Sequence, residues 1–317
     1  MVPASLAALE RQYWVSEPGN LFQRRARLLQ SMWREAQGYG MGVHKGRHGE
    51  RPLGSRLSES SADRLDNYLT ETIRSVVDRE VRDPEQSKGK LYARPRIFDD
   101  LLSSQPLCFN LFAELQQDLP LATAVFQDLT EPCSHPVGVV EAIDFEYSPG
   151  RGDPNYTDDN SAFDVYVRFQ TPKGGSGFIG IEVKYHEDLS GKAARLRPRY
   201  EQVAHPMGCF DEAHLPELQR APLQQVWRDH LLAGAHRLRH EFADGFFAIL
   251  YPEGNRACAK VVHRYRECLS SGDTFAEWTL ERFTSVVACH TDAEWLGLFR
   301  DRYLDYTRLD EALSGSA

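Results

Sequence analysis

The chain has 317 residues, is 41% hydrophobic and 26% charged, and carries a net charge of −9. These figures fit a globular protein with a substantial core and exclude a disordered or fibrous one. No run of about 18 apolar residues occurs, and the N-terminus (MVPASLAALERQYW) lacks the basic-then-apolar layout of a signal peptide, so a cytoplasmic protein with no membrane partner is expected. Six widely spaced cysteines with no C-x-x-C pair read as reduced thiols, not as a zinc site. The acidic total conceals two basic stretches. Residues 44–56 carry Lys45, Arg47, Arg51 and Arg56, and residues 192–199 carry Lys192, Arg195, Arg197 and Arg199. Each reads either as a solvated loop or as part of a nucleic-acid-binding face.

In chain order, Leu6, Leu9, Tyr13, Leu21, Leu28, Leu29 and Trp33 recur at three- and four-residue steps, which predicts helix over 5–37. The Gly-rich basic segment 38–54 has too many breakers for regular structure. A helix is expected over 62–80, a loop over 82–95, and helices over 106–118 and 120–129. Past Pro132 and Pro136 the pattern turns to alternation at 137–147 (VGVVEAIDFEY), 162–170 (AFDVYVRFQ) and 177–186 (GFIGIEVKYH). The TPKGGSG stretch between the last two is a hairpin turn signal. Helices at 191–205 and 221–240, an apolar strand at 245–251, and helices near 255–270, 276–288 and 291–313 complete the chain. The expected organisation is a helical extension over 1–95 with the basic Gly-rich loop, followed by an α/β domain over 96–317 whose mixed sheet is flanked by helices.

Alternation places Glu182 and Lys184 on one face of the third strand and Asp164 on the less apolar face of the second. A hairpin through TPKGGSG sets Asp164 nearly opposite Glu182, so two carboxylates converge beside a lysine. Like charges held together are costly unless a cation joins them. Mg²⁺ takes one or two carboxylates, water and phosphate oxygens. On spacing alone, Glu182 and Lys184 could equally be a surface pair on an edge strand.

The stretch SAFDVYVRFQ…GFIGIEVKYHE resembles the PD-(D/E)xK nuclease superfamily and, within it, a group of restriction-endonuclease-like proteins. The similarity extends upstream through LLSSQPLCFNLFAEL and IDFEYSPGRGDPNYT, and downstream to QVWRDHLLA and ILYPEGN, over about residues 95–260. Phe163 stands where the family name has Pro. The resemblance implies an α-β-β-β-α-β core and metal-dependent phosphodiester hydrolysis. Asp164, Glu182 and Lys184 would be its motif residues, with Asp164 and Glu182 as ligands of Mg²⁺, for which Mn²⁺ could substitute. It further suggests Glu114 from the first core helix, and Gln225 with Arg228 from the helix after the E-x-K strand, near the metal or the scissile phosphate. Lys45 and Arg47 are candidates for gripping substrate, expected to be nucleic acid and DNA in particular. A role in defence against foreign DNA, and a homodimer for double-strand cleavage, are further implications. The rival readings are a non-catalytic nucleic-acid-binding or scaffold protein that keeps the fold and, more remotely, a sugar- or protein-directed hydrolase. Asp144, Glu146 and His186 share suitable strand faces, but solvent-facing or structural roles suit them equally. His236 and His240, spaced i and i+4, read as a surface pair without a third ligand.

Overall fold

The computed structural model describes residues 5–46, 49–131, 135–240 and 242–315. The chain forms two compact units. One comprises residues 1–87, 92–111 and 292–317, the other 88–91 and 112–291. Among the described residues, no helix is long and apolar enough to cross a membrane.

In the first unit the expected N-terminal helix is two, Leu6–Gln12 and Leu21–Ala36. Pro18 and Gly19 break it, and Asn20 restarts it with a capping box in which Asn20 and Gln23 satisfy each other's backbone N–H groups. The segment expected to be irregular is instead an antiparallel hairpin, β1 (Met41–Gly46) with β2 (Gly49–Leu57). Its many breakers are compatible with a two-stranded ribbon. Pro52, which has no N–H to give, is tolerated because β2 pairs on one side only. Gly42 sits at a register shift where a Cβ would lie 2.1 Å from the Leu57 carbonyl oxygen. The helix expected over 62–80 is shorter and divided, with turns at Glu59–Asp63 and Glu71–Val77.

The second unit is built on a five-stranded mixed sheet in the order β3 (Val139–Tyr147), β4 (Phe163–Gln170), β5 (Ser176–Val183), β6 (Asp244–Tyr251) and β7 (Phe275–Thr279). The first three strands are antiparallel, and β5, β6 and β7 run parallel. Helix Gln224–Arg239 packs on one face through Val226, Trp227, Leu231 and Leu232, against Phe247 and Ile249 of β6. Helix Leu119–Thr130 lies against β3, and Phe126 contacts Trp278 of β7 and Phe283 of helix Leu280–His290. The expected α-β-β-β-α-β order is therefore present, in a mixed sheet flanked by helices. β7 is an addition where helix was expected: Phe275 and Trp278 fit a helical step, but pairing with β6 takes the segment into the sheet.

Candidate active site

The site begins at the β4–β5 hairpin. Thr171 and Gly175 close the turn, the Thr171 N–H donating to the Gly175 carbonyl at 2.7 Å, with Gly174 at φ +84°. The register runs from Gln170↔Ser176 to Val165↔Ile181, so its continuation sets Asp164 opposite Glu182. The Val183 N–H donates to Asp164 Oδ2 at 2.8 Å and fixes that carboxylate against the neighbouring strand. Packing beneath the acids is aromatic. Tyr166 stacks on Tyr147 and Phe178, and the Phe163 ring fills the space left by Gly180, where an added Cβ would lie 2.4 Å from it.

Glu182 and Lys184 are only 7% and 8% exposed. Lys184 Nζ donates to Glu182 Oε1 at 2.5 Å, and Gln225 Nε2, from helix Gln224–Arg239, donates to the same oxygen at 2.9 Å. Among the described residues nothing donates to Glu182 Oε2 or to Asp164 Oδ1. Four residues after Gln225, on the same helix face, Asp229 is buried with Oδ2 lacking any partner among the described residues. Glu146, at the end of β3, accepts a hydrogen bond from Arg151 Nη2 at 3.0 Å. Glu182, Glu146, Asp229 and Gln225 line one cleft of about 270 Å³.

Crowding of like charges in a dry place shows in the ionisation. Burial first, then the Glu182 charge, hold the carboxyls of both Asp164 and Asp229 well above the usual carboxylate range. Burial also raises Glu146, against the opposing pull of Arg151. For Lys184, burial alone would lower the pKa, but Glu182, Glu187 and Asp164 outweigh it and keep the ammonium charged. Backbone strain gathers here as well: of the five non-glycine residues with positive φ among the described residues, Glu146, Asp158 and Leu189 border this cleft and the one beside it.

The other candidates fall in several places. Arg228 donates from Nε to Asp159 Oδ2 and from Nη2 to Ser161 Oγ, both at 2.9 Å, and lines the cleft. Burial would raise Asp159, but Arg228 and the Tyr200 and Thr157 hydroxyls bring it below the ordinary value. Glu114 is half-buried on helix Ser104–Gln117 and does not line the cleft. Lys45 is an exposed β1 residue of the first unit, 3.3 Å from Glu50, and Arg47 lies outside the described residues. His186 is half-buried beside Glu187. His236 is not on the surface: it is 3% exposed, bonded to the Tyr166 hydroxyl at 3.0 Å, and pushed by burial down to about 3. Asp229 escaped the reading of the sequence, although its i+4 spacing from Gln225 was a usable signal. Glu146 was recognised only as one of two acids on a strand.

Among the described residues, no three His, Cys, Asp or Glu side chains are grouped closely enough to hold an ion by themselves. The donor set nonetheless fits a hard divalent cation that keeps much of its shell as water and phosphate oxygen. Two facing carboxylates each have an oxygen without a donor, and a third carboxylate, Asp229, has an orphaned oxygen nearby. A cation there offsets the repulsion that the raised pKa values record.

A family model described as the PD-(D/E)XK nuclease superfamily matches residues 17–305. No curated protein and no solved structure matches the chain.

Proposed function

This chain belongs to the PD-(D/E)XK nuclease superfamily, and from that premise we propose that it hydrolyses phosphodiester bonds, with DNA as the expected substrate and Mg²⁺ or Mn²⁺ as cofactor. The observation that carries the reading is the hairpin pairing of Asp164 with Glu182, with Lys184 and Gln225 both anchored on one Glu182 oxygen. Asp164 and Glu182 are the proposed ligands. A divalent ion bound to them would lower the pKa of a coordinated water and offset charge on the phosphate.

The protein's own groups have separable tasks. Gln225 and Lys184 fix the Glu182 carboxylate in one orientation through Oε1, which would leave Oε2 free to hold a cation. Lys184, charged in the folded chain, is suited to orient the attacking water and to stabilise the negative charge developing on the phosphate oxygens. It is not suited to accept a proton while its carboxylate neighbours hold it protonated. Asp229, whose Oδ2 has no partner among the described residues, would supply a further carboxylate beside a bound cation once it ionises. A role in defence against foreign DNA fits such an activity.

The test is incubation of plasmid and labelled DNA and RNA oligonucleotides with Mg²⁺ or Mn²⁺, beside Asp164→Ala and Lys184→Ala. Metal-dependent cleavage lost in both variants is expected. Wild-type protein inert on every substrate, or variants as active as wild type, would overturn the catalytic reading and leave a binding protein that keeps the fold.

A further inference from the structure

The basic stretch 192–199 has no part in the chemistry described so far, yet it borders the site. After β5 the chain passes Leu189, which is buried at φ +60°, and runs without regular structure to helix Pro198–Met207. Asn255 Nδ2 ties the start of this segment by donating to the Tyr185 and Glu187 carbonyls, at 3.0 and 2.7 Å. Gln224 Nε2 ties its middle by donating to the Ala194 carbonyl at 3.0 Å. The strap so formed is one wall of the 270 Å³ cleft, through Leu189, Gly191 and Lys192. Residues 160–162 form a second wall, and the Ala221–Pro222 turn a third. Beyond it lies another cleft of about 400 Å³, lined by Arg195, Arg197 and Tyr200 among others. The two share Asn160, Ala194 and Arg228, so they adjoin along the strap.

The charges along this groove are unequally committed. Arg197 is 3.6 Å from Asp158, Arg199 donates to the Asn155 and Tyr156 carbonyls, and Arg228 is held by Asp159. Lys192 and Arg195 are exposed and have no partner among the described residues. One such unpaired cation therefore lines each cleft, both on the same strap, and Arg228 lines both clefts. Such spaced cations fit successive phosphates of a backbone. The depth at which Glu182 lies limits which backbone can reach it. Glu182, nearly fully buried, lines this cleft between the strap, residues 160–162 and the Ala221–Pro222 turn, where a phosphate on the outside of a double helix would not reach.

We infer that the strap 189–197 is a track for a single polynucleotide strand, with Lys192 and Arg195 binding phosphates on either side of Arg228 and feeding the chain to Glu182. The inference rests on the nuclease reading and narrows its substrate to unpaired strands, ends or flaps. One copy of the site then suffices, with no need of a dimer.

The test uses the 317-residue chain carrying Lys184→Ala, expected to bind without cutting, with Mg²⁺ and short fluorescent oligonucleotides, single-stranded or blunt duplex. The single strand is expected to bind at least about tenfold more tightly than the duplex. Adding Lys192→Glu and Arg195→Glu should weaken it about tenfold or more and flatten the slope of log affinity against log salt by about 1.4, two contacts at about 0.7 each. Both side chains are exposed, and a thermal melt confirms that the reversed protein folds. Equal affinity for duplex, or an unchanged affinity and salt slope after reversal, overturns the track. Cleavage by wild type is scored in parallel. Selective strand binding through Lys192 and Arg195 by a wild type that never cuts supports the track and removes the catalytic reading. Duplex cleavage that the reversal leaves undiminished removes the track and keeps the nuclease.

Discussion

Each unit of the molecule buries charge, and does so in opposite ways. In the first, Arg302 is fully buried, yet each of its guanidinium nitrogens is hydrogen-bonded. Nε donates to Gln30 Oε1 at 3.0 Å, Nη1 and Nη2 donate to the Asn67 carbonyl and Oδ1 at 2.6 Å, and the Trp33 and Tyr303 rings lie against it. In the second, Glu182 repels both Asp164 and Asp229, Lys184 and Arg228 are shared among these acids and Asp159, and Asp229 Oδ2 has no donor among the described residues. Burial alone therefore does not distinguish a working site from a structural one. Satisfaction does: a charge whose hydrogen bonds are all met by neutral dipoles holds a fold together, and a crowded, under-satisfied set needs a ligand to complete it.

The contrast can be broken most forcefully at the acids. Asp164→Ala and Lys184→Ala should each lower the single-turnover rate on a labelled oligonucleotide by about a thousandfold. A fall of less than about tenfold in both would put the chemistry elsewhere. On the structural side, Arg302→Leu strands Asn67 and Gln30 and should cost about 3 kcal/mol in urea unfolding. An unchanged midpoint would mean that the hydrogen-bonded arginine is dispensable. Gln225→Ala frees Glu182 to swing, and Mn²⁺ titration should then show ten- to a hundredfold weaker binding; equal affinity would deny Gln225 a positioning role.

The smallest effect sharpens the comparison through pH. The Asp229 carboxyl has a folded-state pKa raised by burial and by Glu182, so the folded chain holds that proton more tightly than the unfolded one. Its stability contribution is complete below the ordinary carboxylate pKa and is lost as pH rises through the raised folded value. Metal-free Asp229→Asn should therefore melt higher than wild type at the upper end of that window, by about 1 kcal/mol, and show a flatter pH dependence. Mg²⁺ should stabilise wild type more as pH rises, because the cation competes with protons for the same oxygens. Parallel melting curves with and without metal at every pH would contradict this account.

How far the sequence discloses the molecule depends on the range over which its signals act. Alternation in AFDVYVRFQ and GFIGIEVKYH, with a glycine-rich turn between them, fixes partner, register and face within some twenty residues, so the Asp164–Glu182 meeting was legible. The helical face carrying Gln225 was legible for the same reason. Asp229 was not, because an acid between Arg228 and His230 looks like a solvated helix residue until the sheet it faces is known. The surface reading of the i, i+4 pair suits His240, which is exposed, but not His236, which Tyr166, Phe178 and Phe242 enclose. β7 and the β1–β2 ribbon were missed because pairing with a neighbour overrides local preference.

The short β4–β5 turn has a kinetic consequence. Its strands can zip as soon as the turn forms, whereas the parallel pairing of β5 with β6 waits for the 184–243 crossover to close. The two acids would then confront each other while the sheet is still incomplete, and their repulsion would weigh on the folding barrier. Divalent ions should therefore speed refolding and not merely slow unfolding, a difference that the two arms of a chevron separate. Metal that acts on the unfolding arm alone would show that the hairpin closes late, after the crossover helix has docked.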